Sequence, residues 1–424
     1  MDLLPKAFEP QKHVSYTFVY SFSAILLSLG FVFDSPQKIF EGLIAIYLSP
    51  GNLITDYMAV GGVGAAFVNA GLTTLTSIIL VHHQKIRITG PVFAGIFTVA
   101  GFSFFGKNIV NSIPIMLGCV LYARYTGLQV RNVILSALFG TSLAPMVSFI
   151  AFGLGLPLPF SIPLAFVSGL LVGFVMSPLA SHFLSFHQGF NLYNIGFTAG
   201  ILGMAVVGVL RMFGVEVQTS QLVYSGDDSL FWILAAGFNL FLILFGYFKN
   251  GRTFRGYRSL LAESGRLVSD FVAQFGEGLV SINMGVLGFV CLIYIKAAGG
   301  MINGATLGGY FTVLGFAAFG KHLRNVLPVV AGIFLANLVN IHPADSTGSI
   351  LMGLFGTCLA PVAGYCGWPF GFLAGFIHAA MVNNVAFLHG GLNLYNNGFS
   401  GGFVAAVLVP VFDIFLKRKE RPQG

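Results

Sequence analysis

The amino-acid sequence predicts an all-α polytopic membrane protein made of two inverted-topology repeats, each with about five transmembrane helices plus one re-entrant hairpin. Three observations predict it: a composition nearly free of charge, a set of motifs written twice in one order, and loop charges that change sides between the copies. Of 424 residues, 56% are apolar and 8% charged, where a soluble domain carries about 25% charged residues. The 21 Lys and Arg and 14 Asp and Glu cannot clothe a water-exposed surface of this size. A mean hydropathy of +0.86 agrees. A water-soluble enzyme, a disordered chain and a nucleic-acid-binding domain are excluded.

The formal net charge of +7 reads as topology, because Lys and Arg collect in cytoplasmic loops of membrane proteins. Cys119, Cys291, Cys358 and Cys366 lie in or at the ends of apolar stretches without C-x-x-C spacing, which argues against disulfides and structural zinc. The apolar run from Ser15 ends at Phe33-Asp34-Ser35-Pro36 with no small-residue cleavage pattern. It is expected as a retained first span rather than a signal peptide.

The repeat is legible by inspection. Gly101-Phe102-x-x-Phe105-Gly106-Lys107-x-x-x-Asn111-x-x-Pro114 recurs 214 residues later as Gly315-Phe316-x-x-Phe319-Gly320-Lys321-x-x-x-Asn325-x-x-Pro328. The same shift relates Thr55-Asp56 to Ser269-Asp270, and Asn69 to Asn283. Leu138-Phe139-Gly140-Thr141-x-Leu143-Ala144-Pro145 returns 216 residues later as Leu354-Phe355-Gly356-Thr357-x-Leu359-Ala360-Pro361. His187-x-Gly189-x-Asn191-Leu192-Tyr193-Asn194 returns 202 residues later as His389-x-Gly391-x-Asn393-Leu394-Tyr395-Asn396. The chain therefore divides into a cytoplasmic N-terminus (1–14), membrane repeat one (15–213), an external linker (214–229), membrane repeat two (230–416) and a basic cytoplasmic tail (417–424).

Loop charge sets the relative orientation. Residues 34–56 hold Asp34, Lys38, Glu41 and Asp56, whereas 249–270 hold Lys249, Arg252, Arg255, Arg258 and Arg266 against Glu263 and Asp270. His82 to Arg87, with two basic residues, faces a lone Lys296, and Arg124 and Arg131 face Asp345. Equivalent loops switch bias, so the copies are expected to be inverted. Spans are expected near 15–33, 58–81, 132–153, 160–182 and 190–212, then 230–248, 271–295, 349–365, 371–388 and 392–414. That layout puts 15 of the 21 Lys and Arg on the cytoplasmic side. The segments 91–121 and 305–337 must leave and return on one side, as hairpins.

Ionisable groups at membrane depth are functional candidates. Lys107 and Lys321 each follow a Phe-Gly step inside a hairpin, where broken helices of inverted-repeat transporters hold substrate near the midplane; the plainer alternative is a lysine snorkelling to headgroups. Asn111 and Asn325, four residues on, either face solute with them or cap the return helix. Asp56 and Asp270 are structural carboxylates at a helix N-terminus or coupling groups. The block of His187, Asn191, Tyr193 and Asn194, with its copy His389, Asn393, Tyr395 and Asn396, supplies donors and acceptors suited to a neutral polar or weakly anionic solute. No Walker A, H-E-x-x-H or G-x-S-x-G string occurs, so no metal, cofactor or hydrolytic chemistry is expected.

The duplicated G-F-x-x-F-G-K and H-x-G-x-N-L-Y-N-x-G-F strings resemble an uncharacterised family of bacterial multi-pass inner-membrane proteins. The five-plus-five inverted plan is similar to that of urea and ammonium channels, without the tandem Pro-Phe signature of the former. That similarity is of architecture; the inverted duplication itself offers equivalent access from both faces, so a channel or facilitative or secondary transporter for a small polar or anionic solute is expected, in the inner membrane with both termini placed in the cytoplasm by loop charge. By the same analogy its partners are the solute, the bilayer and further copies of itself in a trimer, with no nucleic acid. The alternative is an intramembrane enzyme acting on a lipid or isoprenoid, which would need only one catalytic half.

Overall fold

The computed structural model describes the backbone of residues 13–420 and the side chains of residues 13–416. Most of the expected N-terminal segment and the side chains of the basic tail lie outside the described residues. The first half contains α1 (Tyr16–Phe33), α2 (Pro36–Leu48), α3 (Val63–His83), α4 (Gly90–Phe102), α5 (Ile109–Tyr125), α6 (Val130–Gly153), α7 (Leu158–Phe183) and α8 (Asn194–Met212). The second contains α9 (Ser229–Lys249), α10 (Phe271–Ala297), α11 (Gly304–Phe316), α12 (Leu323–Val339), α13 (Thr347–Cys366), α14 (Trp368–Val385) and α15 (Asn396–Glu420). No multi-residue strand occurs among the described residues.

Ten of these helices are long and apolar enough to cross a membrane, and they fall on the ten stretches expected from the sequence. Their burial sorts them into layers. Only 28% of the most apolar windows of α1, α7 and α9 is buried, against 94% of α6 and 89% of α13. The outer helices present their apolar faces outward, as lipid-facing helices do.

The expected hairpins are pairs of short helices. α4 and α11 have 13 residues each, or about 20 Å at the α-helical rise, less than the roughly 30 Å hydrocarbon core. The chain reverses at Gly106 and Gly320, with φ of +79° and +129°, a region that favours glycine. The return helices open on capping boxes, Asn108 with Asn111 and His322 with Asn325, which satisfy amides that the helix start leaves free.

Packing repeats between the halves. α1 lies on α3 as α9 lies on α10, and α5 on α7 as α12 on α14. α4 packs on α11, and α8 on α15. The α4–α11 pair is antiparallel: Gly90 sits against Ala318, Ala94 against Gly315, Gly101 against Gly308, and Gly304 against Phe104. A Cβ on Gly101 would lie 2.6 Å from the Gly308 carbonyl oxygen, so small residues let the backbones approach.

Two features depart from the sequence reading. Residues 34–56, expected as a loop, contain α2, capped by Ser35 with Pro36 in its first turn. The spans α6 and α13 are interrupted by 3₁₀ turns at Gly140–Leu143 and Thr357–Leu359. Pro145 and Pro361 cause this, since proline donates no N–H and crowds the carbonyl four residues back, which belongs to Thr141 and Thr357.

Candidate functional site

The two reversals carry Lys107 and Lys321 into the protein interior, where both are fully buried. Lys321 Nζ donates to Tyr193 Oη (2.6 Å) and to Thr357 Oγ1 (2.7 Å), and lies 4.5 Å and 5.1 Å from the ring centres of Tyr193 and Phe316. Thr357 is presented by the interruption in α13. Lys107 Nζ lies 5.6 Å from the Phe102 ring and has no hydrogen-bond partner. No carboxylate pairs with either lysine; the ion pair seen among the described residues is Lys249 with Glu277 (3.4 Å).

The structure does not bring Lys107 and Lys321 together. Aromatic rings fill the interval: Tyr193 and Tyr395 are 4.7 Å apart, Tyr395 and Phe102 4.6 Å, and Tyr193 and Phe316 4.7 Å. Phe139 and Phe355 flank them. The cause is the full antiparallel overlap of α4 and α11, which sets the reversals at opposite ends of that pair.

The histidine block serves partly as a brace. Asn191 Nδ2 donates to Gly398 O and Asn393 Nδ2 to Gly196 O, tying the halves together, while their Oδ1 atoms accept from Tyr193 N and Tyr395 N. His187 Nε2 pairs with Asn194 Oδ1 (3.0 Å) and His389 Nε2 with Asn396 Oδ1 (2.9 Å). Both Asn amides donate onward to carbonyls, of Ala180 and Val382, which assigns the proton to each histidine Nε2. Tyr395 Oη donates to Thr98 Oγ1. Asn111 accepts from Asn108 N and donates to Gly106 O and Ser148 Oγ; Asn325 accepts from His322 N and donates to Gly320 O. Their amides hold the reversals in shape.

Asp56 and Asp270 cap helices of both halves. Asp56 accepts from Met58 N, Tyr224 N and, across the halves, Gly304 N at the start of α11. Asp270 accepts from Ala273 N and from Gly90 N at the start of α4. Each carboxylate thus meets amides at the positive end of a helix, and neither meets a lysine.

Two cavities complete the site. The larger, about 510 Å³, is lined by Leu53, Ile54, Phe105, Leu351, Phe355, Ala386, Leu394, Asn396 and Asn397, together with Thr219, Gln221, His342, Ser346–Ser349, Asn383 and His389 among others. The smaller, about 150 Å³, is lined by Leu267, Val268, Phe319, Leu135, Phe139, Leu184, Leu192, Asn194 and Ile195, with Tyr193, Gly196, Phe316 and Tyr395. The first nine residues of each are counterparts under the shifts of the duplication. No Asp, Glu, Lys or Arg lines either cavity.

The residues around the candidate site that the sequence did not mark as candidates are Thr357, Cys358 and the cluster at His378. The sole signal for the first two was the Gly-Thr-x-Leu-Ala-Pro string, whose proline marks the helix interruption. His378 Nδ1 meets Ser400 Oγ (2.9 Å) and its Nε2 meets Asn397 Oδ1 (3.0 Å); the first half has Met176, Thr198 and Ile195 at these positions. Among the described residues no group of three or more His, Cys, Asp or Glu could hold a metal ion.

A family model described as "Protein of unknown function (DUF1576)" matches residues 35–212 and 249–414, one segment in each half. The chain belongs to the DUF1576 family. No curated protein and no solved structure matches it. The two matched segments of DUF1576 span α2 to α8 and the end of α9 into α15, so the family model covers both reversals, both histidine blocks and both interrupted spans.

Proposed function

We propose that the chain is an alternating-access membrane transporter for a small polar or anionic solute, with its path running between two inverted halves. The observation that carries this reading is the pair of cavities lined by equivalent residues, one large and one small, separated by Tyr193, Tyr395 and their neighbouring phenylalanines. Inverted repeats give a transporter two equivalent gates, and one structure of such a protein holds one gate open and the other shut. The antiparallel run of α4 and α11 and the switch of loop charge support the inversion. The short helix pairs α4–α5 and α11–α12 support re-entrant hairpins, because irregular backbone at membrane depth survives where protein or a wet cavity covers it.

In the cell-membrane orientation with cytoplasmic termini, loop 338–348 and the 214–229 linker are external, so the larger cavity opens outward. The smaller then faces the cytoplasm, shut beneath the Lys321–Tyr193–Thr357 contacts. Cavity walls without acidic groups suit a neutral polar solute or an anion rather than a cation.

The test is stopped-flow light scattering on proteoliposomes with a panel of small neutral solutes and small anions, comparing wild type with Lys107→Ala/Lys321→Ala. Saturable flux of one class, lost in the double variant, is expected. Absence of flux for every solute overturns the reading.

A second reading, an intramembrane enzyme acting on a lipid or isoprenoid, has one observation behind it: the Ser400–His378–Asn397 contacts, which only the second half makes. Against it, the Lys, Asn, Asp and histidine-block residues are kept in both halves, whereas an enzyme needs one catalytic half.

A further inference from the structure

We infer that the solute is a small monovalent anion and that Lys107, with Ser142, forms its first binding site beneath the larger cavity; this deepens the transporter reading and rests on it. The backbone around the two lysines is equivalent, but the chemistry is not. Lys321 is satisfied by Tyr193 and Thr357. Lys107 has the matching residues, Tyr395 and Thr141, yet Tyr395 Oη is turned to Thr98, and Thr141 Oγ1, which donates to Leu138 O just as Thr357 Oγ1 donates to Leu354 O, accepts no bond from the lysine. Its Nζ is left buried with no acceptor.

The surroundings differ in the same sense. Ser142 stands where the second half has Cys358, and Ser77 where it has Cys291. Ser142 Oγ is also buried without a partner. The backbone of each segment borders Leu394 on the cavity floor: Leu394 N donates to Ser142 O (3.0 Å), and a Cβ on Gly106, next to Lys107, would lie 2.8 Å from Leu394 Cδ2.

An ammonium and a hydroxyl together present donors in search of an acceptor. A buried uncompensated charge is strongly unfavourable, and an anion supplies acceptors and opposite charge at once. One lysine with no arginine fork matches a single negative charge better than a phosphate. Chloride, nitrate and formate are small anions of the right charge to test.

The experiment is thermal unfolding of the purified full-length protein in nanodiscs, titrated with sodium chloride, nitrate or formate and referenced to sodium gluconate at equal ionic strength. Saturable stabilisation by at least one of the three is expected. Lys107→Met should weaken half-saturation at least tenfold and Ser142→Cys about threefold, while Lys107→Arg retains binding and Lys38→Met, which removes an exposed charge, changes nothing. If Lys107→Met does not fold, Ser142→Cys and Lys107→Arg still decide. Wild type without anion-specific stabilisation, or Lys107→Met binding like wild type, overturns the inference. Neutral-solute flux without anion binding leaves the transporter standing with another substrate. Anion binding without flux leaves the site standing and removes the transporter.

Discussion

Tyr193→Phe isolates the contact that we assign to the shut gate. The ring remains, so its packing against Phe316 and Tyr395 is kept, and one hydroxyl is lost. Lys321 Nζ then holds Thr357 alone of its two partners, the lost bond being the shorter at 2.6 Å. A hydrogen bond to a charged group contributes about 1.5–3 kcal/mol. If it forms only while the smaller cavity is shut, its loss raises the population of the opposite state by about ten- to a hundredfold, at about 1.4 kcal/mol per tenfold. Ser136 reports this, because its counterpart Met352 lines the larger cavity while Ser136 is buried beside the smaller one. Ser136→Cys should react slowly with a hydrophilic methanethiosulfonate, against four native cysteines that are all buried. Adding Tyr193→Phe should raise that rate at least tenfold. A folded double variant that labels at the single variant's rate refutes the gating role and leaves the bond purely structural.

Three further outcomes follow from the same geometry. Asp56→Ala should lower thermal stability more than Asp270→Ala, because fully buried Asp56 accepts from three backbone amides and half-buried Asp270 from two; each orphaned buried amide costs about 1–3 kcal/mol, and unequal loss of flux at equal stability would point instead to ion coupling. Asn393→Ala should destabilise by about 1–3 kcal/mol by freeing the buried Gly196 carbonyl, measured by unfolding in nanodiscs. Gly101→Leu should abolish folded, monodisperse protein in size-exclusion chromatography, since its Cβ meets the Gly308 backbone at 2.6 Å; recovery of a normal profile would mean that α4 and α11 tolerate separation.

Ten spans and two hairpin segments were legible because bilayer thickness fixes how many apolar residues a crossing needs, and the repeat doubled every signal. Lys107 and Lys321 were legible for the same reason: a charge in an apolar run stands out. What surrounds them was not. Spacing placed Asn111 four residues beyond Lys107 on one helical face, but the reversal at Gly106 turns the asparagine back onto its own loop. The separation of the lysines depends on how far α4 and α11 overlap, which the Gly-to-backbone contacts of Gly90, Gly101, Gly304 and Gly308 set and no one-dimensional pattern records. α2 escaped because it follows a span without an intervening charge-rich loop, and its sole sequence mark is the Ser35-Pro36 start.

The inequality of the two lysines follows from duplication itself. Two halves with nearly the same contacts can be arranged so that both gates are shut, both open, or one of each. On the proposed transporter reading, equal motifs would make either single-gate state reachable by exchanging the roles of Lys107 and Lys321, with Tyr395 and Thr141 as the acceptors that Lys107 would take up when the larger cavity shuts. Ser142 and Cys358 break that equivalence. A thiol is a weak donor and acceptor where a serine hydroxyl is a good one, so an ion leaving the Lys107 side for the Lys321 side moves to a poorer site. On that reading the difference would favour capture on the side of the larger cavity and release on the other, and Cys358→Ser, by equalising the sites, should slow release more than it alters uptake in proteoliposome flux measurements.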